Sequence, residues 1–410
     1  MAKPIDLLSV DDARKLILSR FSRLSEEKVP LEHSTGRFLF ESVYAPRDVP
    51  PFANSSMDGF AVRSDDTRDA TPNEPVTLSV TGSIAAGSSM VTEVGPAACA
   101  RIMTGAPLPS GADAVVPFED VEDRGKTIAV SRPVQCNSCV RAAGNDIRQG
   151  ERVVEGGTCV EAPHVALLAT LGCATVAVVR RPMVAILSTG DEIVEPGNGL
   201  SMGQIYNSNT PMLESSVRVS GALSLSIPVA GDNRQELEAA LEQARGADLL
   251  LTTGGASVGD YDYVKEIISE RGNLDFWRVR VRPGKPLIFG SYGDTPVIGL
   301  PGNPTSAWVT FELFARPAIM TMLGGPLLRP RMRVVMDERV DNRGGRRTYA
   351  RVVVCQNEGV MHARLSGGQD SAMVLPLARA DGLVEIPEDV PELNAGDVAP
   401  AYLWHLPSDR

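Results

Sequence analysis

Residues 249–259 read Leu249-Leu250-Leu251-Thr252-Thr253-Gly254-Gly255-Ala256-Ser257-Val258-Gly259, a short apolar run that stops at a polar, glycine-rich turn. Two other segments repeat this grammar: Met183–Leu187 leads into Ser188-Thr189-Gly190-Asp191-Glu192, and Val297–Leu300 into Pro301-Gly302-Asn303-Pro304. Runs this short suit buried strands and fall short of a helix. Between them lie helical patterns such as Leu237, Ala240, Leu241 and Ala244, closed by Gly246. Strand, turn and helix in alternation predict a parallel α/β domain from Arg180 to about Arg329.

Working outward, the chain after Pro330 shows strand-like pieces (Met332–Met336, Tyr349–Val354, Val384–Ile386, Val398–Leu403) with little helical periodicity, which predicts a small C-terminal β domain. On the other side, Ala162-Pro163-His164 opens a helical stretch that Gly172 stops, with proline at home in the first turn. From Ala45 to Asn145, short β-branched runs such as Val76–Val80 and Ala114–Pro117 alternate with Gly, Pro, Asp and Ser clusters, the texture of a β-rich insertion. Ser9 is placed to cap an opening helix that carries Ala13, Leu16, Ile17, Phe21 and Leu24 on one face, and the stretch after Ala162 is read as rejoining it.

At 410 residues the chain is too long for one core, which agrees with several domains. Its net charge of −11 argues against general affinity for nucleic acid or an anionic membrane, because such binding needs clustered Lys and Arg. Positive charge for an anionic ligand must therefore be gathered locally. The opening Met-Ala-Lys-Pro-Ile-Asp has no apolar signal core, and no stretch reaches the roughly 18 apolar residues of a membrane span, so a cytoplasmic location is expected. Cys136-x-x-Cys139 lacks a second pair or a His at metal spacing, so the cysteines read as reduced structural thiols.

Ligands of open parallel sheets bind beyond the carboxyl ends of the strands, so the three glycine turns should converge on one crevice. Gly254 and Gly255 would let backbone N–H groups approach a phosphate closely, and Asn303 before Pro304 is placed to cap a helix whose positive end faces an anion. Ser257 and Pro301 belong to the same turns. Acidic groups stand beside them: Asp191 and Glu192 after the first strand, Asp260 and Asp262 after the second, and Asp232 before a helix. Carboxylates near phosphates repel them unless a hard cation intervenes, which implies Mg²⁺, although any single Asp here serves equally well as a helix cap. In Arg278-Val279-Arg280-Val281-Arg282-Pro283-Gly284-Lys285-Pro286 a strand would set Arg278, Arg280 and Arg282 on one face. Lys285, in a rigid Gly/Pro turn, is the preferred phosphate or oxyanion contact. Three turns lie outside this domain: Asn54–Ala61, Arg101–Pro107 and Arg141–Ile147. Each alone is an ordinary turn of small and polar residues.

Taken in order, Asp48–Phe52, Ser55–Ala61, Arg101–Pro107, Gly144–Ile147, Ser188–Glu192, Gly254–Lys265, Pro283–Pro286 and Gly299–Pro304 resemble the molybdopterin molybdenumtransferase family, which includes bacterial MoeA and the E domain of gephyrin. The resemblance covers about residues 5 to 405. It implies four domains: a split helical N-terminal domain (1–45 and 147–178), an elongated β-rich domain (46–146), an α/β domain similar to the pterin adenylyltransferases (179–329) and a C-terminal β-barrel (330–410). The implied reaction takes adenylylated molybdopterin and molybdate with a divalent cation and gives molybdenum cofactor and AMP. A homodimer with sites shared between subunits is implied, with a molybdopterin adenylyltransferase as a further partner. Carried over by position, Glu192, Asp58, Thr104 and Lys285 become catalytic candidates. Asp146, Gly254, Gly255, Ser257, Asp262, Pro301, Asn303 and Ser371 become substrate-binding candidates, and Glu192, Asp232 and Asp262 metal ligands. The chain departs from the family pattern at Arg282, where many relatives have Lys, and at Arg141-Ala142-Ala143-Gly144-Asn145-Asp146, where many have Arg-Arg-x-Gly-Glu-Asp. A tungstate-inserting paralogue, an adenylyltransferase and a non-catalytic scaffold are the rival expectations.

Overall fold

The computed structural model describes residues 7–88, 93–254 and 263–405. The chain forms two compact units, one of residues 29–35 and 41–176, the other of 1–28, 36–40 and 177–410. In chain order the first helix is α1 (Val10–Leu18). Ser9 caps it as expected, its Oγ accepting the Asp12 N–H at 3.1 Å. Val10, Ala13 and Ile17 are buried, and the helix stops at Leu18 instead of running on through Phe21 and Leu24. It packs beside the helix Arg316–Leu323 of its own unit.

The smaller unit is built on a six-stranded sheet of β1 (Gly59–Val62), β2 (Val76–Ile84), β3 (Ala98–Ile102), β4 (Ala114–Pro117), β5 (Val121–Asp123) and β6 (Thr127–Val130). Their spatial order is β4-β1-β3-β2-β6-β5. The two edge strands, β4 and β5, are joined by one short turn of helix at Phe118–Asp120, so the sheet curls into a half-barrel around Phe60, Val62, Leu78, Cys99 and Ile128. In the same unit, α2 (Ala162–Thr170) starts with Pro163 in its first turn, and Gly172 beyond its end takes a φ of +84°. Thus α1 and α2 fall in different compact units.

The larger unit holds two further sheets. The first comprises β7 (Met183–Thr189), β8 (Leu223–Ala230), β9 (Leu249–Thr253), β10 (Gly272–Arg278), then, after the short β11 (Val281–Arg282), β12 (Pro286–Tyr292) and β13 (Thr295–Leu300). Its order is β8-β7-β9-β13-β12-β10. The first four strands are parallel, as expected, while β12 pairs antiparallel with both β13 and the edge strand β10. β7 and β9 are buried along almost their whole length, which is why they read as unbroken apolar runs. Helices α3 (Asn209–Val219), α4 (Arg234–Gln243) and α5 (Tyr263–Arg271) cover the sheet, Leu237, Ala240, Leu241, Ile267 and Ile268 meeting Ala185, Leu187 and Leu250. A further helical run, α6 (Pro304–Thr310), passes through a π-turn at Phe311–Ala315 into α7 (Arg316–Leu323), buried on nearly all sides. Its one buried carboxylate, Glu312, receives two hydrogen bonds from Arg329 at 3.0 Å each.

The arginine-rich segment differs from the single strand expected. β10 ends at Arg278, and Arg280 donates its N–H to the Leu8 carbonyl at 2.8 Å. Next, β11 joins the C-terminal sheet, Val281 and Arg282 pairing with Arg347 and Thr348. The inward positions are still Val279 and Val281, and the outward ones Arg280 and Arg282. That last sheet, β14 (Arg331–Met336), β15 (Arg347–Asn357), β16 (Val360–Leu365), β17 (Gly382–Ile386) and β18 (Val398–Leu403), closes on itself because β15 pairs with both β16 and β17. The result is a five-stranded barrel filled by Val334, Ala350, Val352, Ala363, Val384 and Leu403. No helix among the described residues is long and apolar enough to cross a membrane.

Candidate active site

The crevice expected at the glycine turns lies where the sheet reverses the direction of its connections. After β7 the chain crosses to β8 on one side, and after β9 it crosses to the strands on the other. Neighbouring strands that send their connections apart leave their ends uncovered. The cleft there has a volume of about 400 Å³, and its lining includes Ser188, Thr189, Glu192, Asn209, Thr253, Gly254, Gly302, Asn303 and Ala372.

Hydrogen bonds tie the strand ends to the first turn of α3. Ser188 Oγ and Thr210 Oγ1 are 2.7 Å apart, and Asn207 donates from Nδ2 to the same Thr210 hydroxyl at 3.0 Å. Asn209 donates from Nδ2 to Thr253 Oγ1 at 2.8 Å and to the Gly302 carbonyl at 2.7 Å. Thr253 Oγ1 in turn donates to the Pro301 carbonyl at 3.1 Å. One asparagine therefore links β9, the turn after β13 and α3. Gly254 has a φ of +91°, and a Cβ there would stand 2.4 Å from the Thr189 carbonyl oxygen. A Cβ on Gly302 would meet, among the described residues, nothing nearer than Gly254 Cα at 3.6 Å. The two bare backbones leave the wall that close approach of a phosphate requires.

Glu192 is the one charged side chain among the described residues that line the cleft. Its carboxylate folds back over Gly190, where a Cβ would be 2.6 Å from Oε2. Asp191 turns elsewhere: its Oδ1 accepts the Asp232 N–H at 3.0 Å and joins the turns after β7 and β8. Asp232 keeps its carboxylate exposed, and Asn233 caps α4 in its stead, accepting the Glu236 N–H at 2.9 Å. Gly255, Ser257, Asp260 and Asp262 lie outside the described residues, and no group of three or more His, Cys, Asp or Glu able to hold a metal forms among the described ones.

Asn303 stands at the N-cap of α6, but its side chain does not cap; Nδ2 donates to Ser371 Oγ at 2.8 Å. This contact brings two of the expected residues together and sets the turn after β13 against the 366–373 segment. Arg351, almost fully buried, shapes that segment by donating to the carbonyls of Gly368 and Asp370. Lys285 is exposed and is not part of the cleft lining; its turn is fixed because Gly284 leaves no room for a Cβ, which would lie 2.4 Å from Thr310 Cγ2.

In the smaller unit, Asp58 and Thr104 meet: Asp58 Oδ1 accepts the Thr104 N–H at 2.7 Å and the Thr104 hydroxyl at 2.8 Å. The backbone bond first, and the hydroxyl second, hold the Asp58 carboxyl below its ordinary range. Asp146 sits on the turn after Gly144 with its carboxylate exposed. Sequence reasoning missed Tyr206, Asn207, Asn209 and Ala372 in the cleft. Asn207 and Asn209 belong to a cluster of capping residues at the start of α3, Asn207-Ser208-Asn209-Thr210, and that cluster was the available signal.

Three consecutive stretches match family models: residues 8–172 the MoeA N-terminal region (domain I and II), 185–321 a probable molybdopterin binding domain, and 333–404 the MoeA C-terminal region (domain IV). The chain is 37% identical over 407 residues to molybdopterin molybdenumtransferase 2 of Mycobacterium tuberculosis, a match covering 97% of this chain and 99% of that one. It is 36% identical over 391 residues to the molybdopterin molybdenumtransferase of Bacillus subtilis, with 93% and 90% covered. The crystal structure of a molybdopterin biosynthesis moeA protein from Pyrococcus horikoshii superposes with a TM-score of 0.88 at 35% identity, over 98% of this chain and 100% of that chain.

Proposed function

Since the chain belongs to the molybdopterin molybdenumtransferase family, transferases of molybdenum cofactor biosynthesis, we propose that its cleft seats adenylylated molybdopterin and that the protein inserts molybdate with release of AMP. The observation that carries this reading is the cleft at the switch point between β7 and β9, where glycine backbones, hydroxyls and amides surround Glu192, the one charged side chain among the described residues. Such a lining suits a phosphate-bearing ligand held by many weak donors. The full-length relatives bear the name molybdenumtransferase, which favours molybdate insertion over adenylyl transfer.

Within this reading Glu192 stands beside the substrate's phosphates. A lone carboxylate among phosphate oxygens fits Mg²⁺, which keeps most of its shell from water and substrate. When bound it would neutralise phosphate charge, with Asp232 and Asp262 as the further ligand candidates. Gly254, Gly255, Ser257, Pro301, Asn303 and Ser371 would hold the pterin nucleotide. Lys285 would attract the anions electrostatically from its exposed turn. The Asp58–Thr104 pair, as further catalytic candidates, and Asp146, as a substrate-binding candidate, lie on the smaller unit. A cytoplasmic homodimer supplied by a molybdopterin adenylyltransferase, with the four-domain division given above, is the accompanying proposal; sedimentation at working concentration tests the dimer.

The deciding experiment incubates purified protein with adenylylated molybdopterin and Mg²⁺, with and without molybdate, and follows AMP by chromatography. Molybdate-dependent AMP release is expected, and release that ignores molybdate overturns the reading. Tungstate in a parallel arm fixes the oxyanion. ATP with unmodified molybdopterin detects an adenylyltransferase.

A further inference from the structure

Most polar side chains of the cleft are spent on one another: Ser188, Thr210, Asn207 and Thr253 all bond within the wall. Two buried atoms are not. Thr189 is 4% exposed, and its Oγ1 is buried without a hydrogen-bond partner among the described residues; Asn209 Oδ1 is in the same condition. Unpartnered buried polar atoms are uncommon, because each loses its water without replacement.

The orientation of Asn209 is not arbitrary. Its Nδ2 is held by Thr253 Oγ1 at 2.8 Å and the Gly302 carbonyl at 2.7 Å, and a flipped amide would set its oxygen against that carbonyl, acceptor on acceptor. Oδ1 is therefore a fixed acceptor. The Thr189 hydroxyl, by contrast, is an unused donor beside Gly254, whose missing Cβ would stand 2.8 Å from Oγ1. A side chain at 254 would occupy the free side of that hydroxyl. Both residues line the cleft.

We propose that Thr189 and Asn209 read the nucleoside monophosphate half of the substrate. The Thr189 hydroxyl donates to one of its oxygens, and Asn209 Oδ1 accepts from one of its hydroxyl or amine hydrogens. The assignment rests on the functional reading above and extends it to residues that bind without taking part in proton or group transfer. A nucleoside monophosphate carries both complements, since phosphate and ribose oxygens accept, and ribose hydroxyls and the adenine amine donate.

Thr189→Val tests the donor with almost no change in shape. Removing a buried hydroxyl that has no partner among the described residues should leave the melting temperature equal or higher. AMP binding, followed by titration calorimetry, should weaken roughly three- to tenfold, the size of one neutral hydrogen bond. Equal AMP affinity in both proteins, or a lowered melting temperature in the variant, overturns the role of Thr189. For Asn209 the ligand is varied on the wild-type protein, with AMP compared against its 2′-deoxy and 3′-deoxy forms and inosine monophosphate. A similar loss confined to the deoxy forms assigns Oδ1 to the ribose, and one confined to inosine monophosphate assigns it to the base amine. No difference among the four overturns the role of Asn209. Wild-type protein that binds no AMP overturns the functional reading itself, a result distinct from AMP bound equally by wild type and variant.

Discussion

Asp58 and Thr104 lie 46 residues apart in the chain, yet one carboxylate oxygen of Asp58 takes both hydrogen bonds that Thr104 can donate. The cause is strand register. Gly59 pairs with Ile102 across β1 and β3, so the residues just beyond each strand end are neighbours. On its other side β1 is pressed so closely by β4 that a Cβ on Gly59 would stand 2.0 Å from the Val116 carbonyl oxygen. The Asp58-Gly59 turn is thus fixed by the sheet, and two turns that are ordinary when read singly become one built feature.

Thr104→Val removes the hydroxyl donor and keeps the backbone one. Because the backbone bond is the larger cause of the lowered Asp58 pKa, the variant should show an Asp58 carboxyl that titrates higher than in the wild type but still below the ordinary value. The sign follows from the direction of the shift. Bonds to the ionised carboxylate are present above the ordinary Asp value of about 3.9 and are lost as pH falls through the lower folded value. Carboxyl-carbon NMR titration reads this directly, and an unchanged Asp58 titration would show that the hydroxyl contributes nothing.

Asp248 is bound by the Arg180 guanidinium at 2.7 and 2.8 Å and by the Met183 N–H at 2.8 Å, which pins the start of β7. Burial raises the Asp248 carboxyl, but the Arg180 bonds and the Met183 N–H outweigh it and the net shift is downward. Arg180→Ala should cost about 1–2 kcal/mol at pH 7, a modest figure because the arginine is partly exposed. A depressed pKa gives stability that exists above the ordinary Asp value and disappears as pH falls through the folded one. The gap between wild type and variant should therefore narrow below about pH 4. Urea unfolding at pH 7 and pH 3 checks it; an equal gap at both would mean that Arg180 acts by packing alone.

The strand ends were legible because glycine punctuation is local: Gly190, Gly254 and Gly302 mark turns whatever surrounds them. The alternation in Arg278–Arg282 was legible as well, but not the transfer of the chain from one sheet to another after Arg278, which depends on the distant partners Leu8 and Arg347. Strand β16 escaped because only Ala363 is fully buried in it, so Val360–Leu365 carries little apolar pattern. Asn303 was placed correctly at its helix start, while its real partner, Ser371, is 68 residues away and invisible to any local rule. Asn209 was missed for the same reason, since its value lies in reaching Thr253 and Gly302 at once.

Gly254 and Gly246 have nearly the same backbone, with φ of +91° and +85°, but different surroundings. An alanine at 246 meets nothing within 4 Å and should cost only the left-handed backbone penalty, about 1–2 kcal/mol. At 254 the added methyl would stand 2.4 Å from the Thr189 carbonyl oxygen. That clash forces β7 and β9 apart at the cleft, so Gly254→Ala should destabilise more than Gly246→Ala and lower AMP release as well. Matched denaturation curves with equal losses would show that the close approach at 254 is relieved without cost.

Glu192 decides more than any other residue, because it is the one charge among the described residues of the cleft and its neighbour Asp191 provides an internal control. Glu192→Gln keeps the size of the side chain and removes its charge. The carboxylate folds over Gly190 at an exposed position, so the fold should hold, with stability changed by under about 0.5 kcal/mol. Ground-state binding of the substrate should persist or improve, since a repulsion between carboxylate and phosphate is gone. A charge that matters most while the phosphate linkage breaks is lost from the transition state, and molybdate-dependent AMP release should fall roughly 10²-fold or more, mainly in kcat. Asp191→Asn retains the oxygen that accepts the Asp232 N–H, so that variant should stay within about threefold of wild type in the same kinetic assay. A Glu192→Gln enzyme with near-normal kcat would remove Glu192 from the chemistry and shift the search to Asp232 and Asp262.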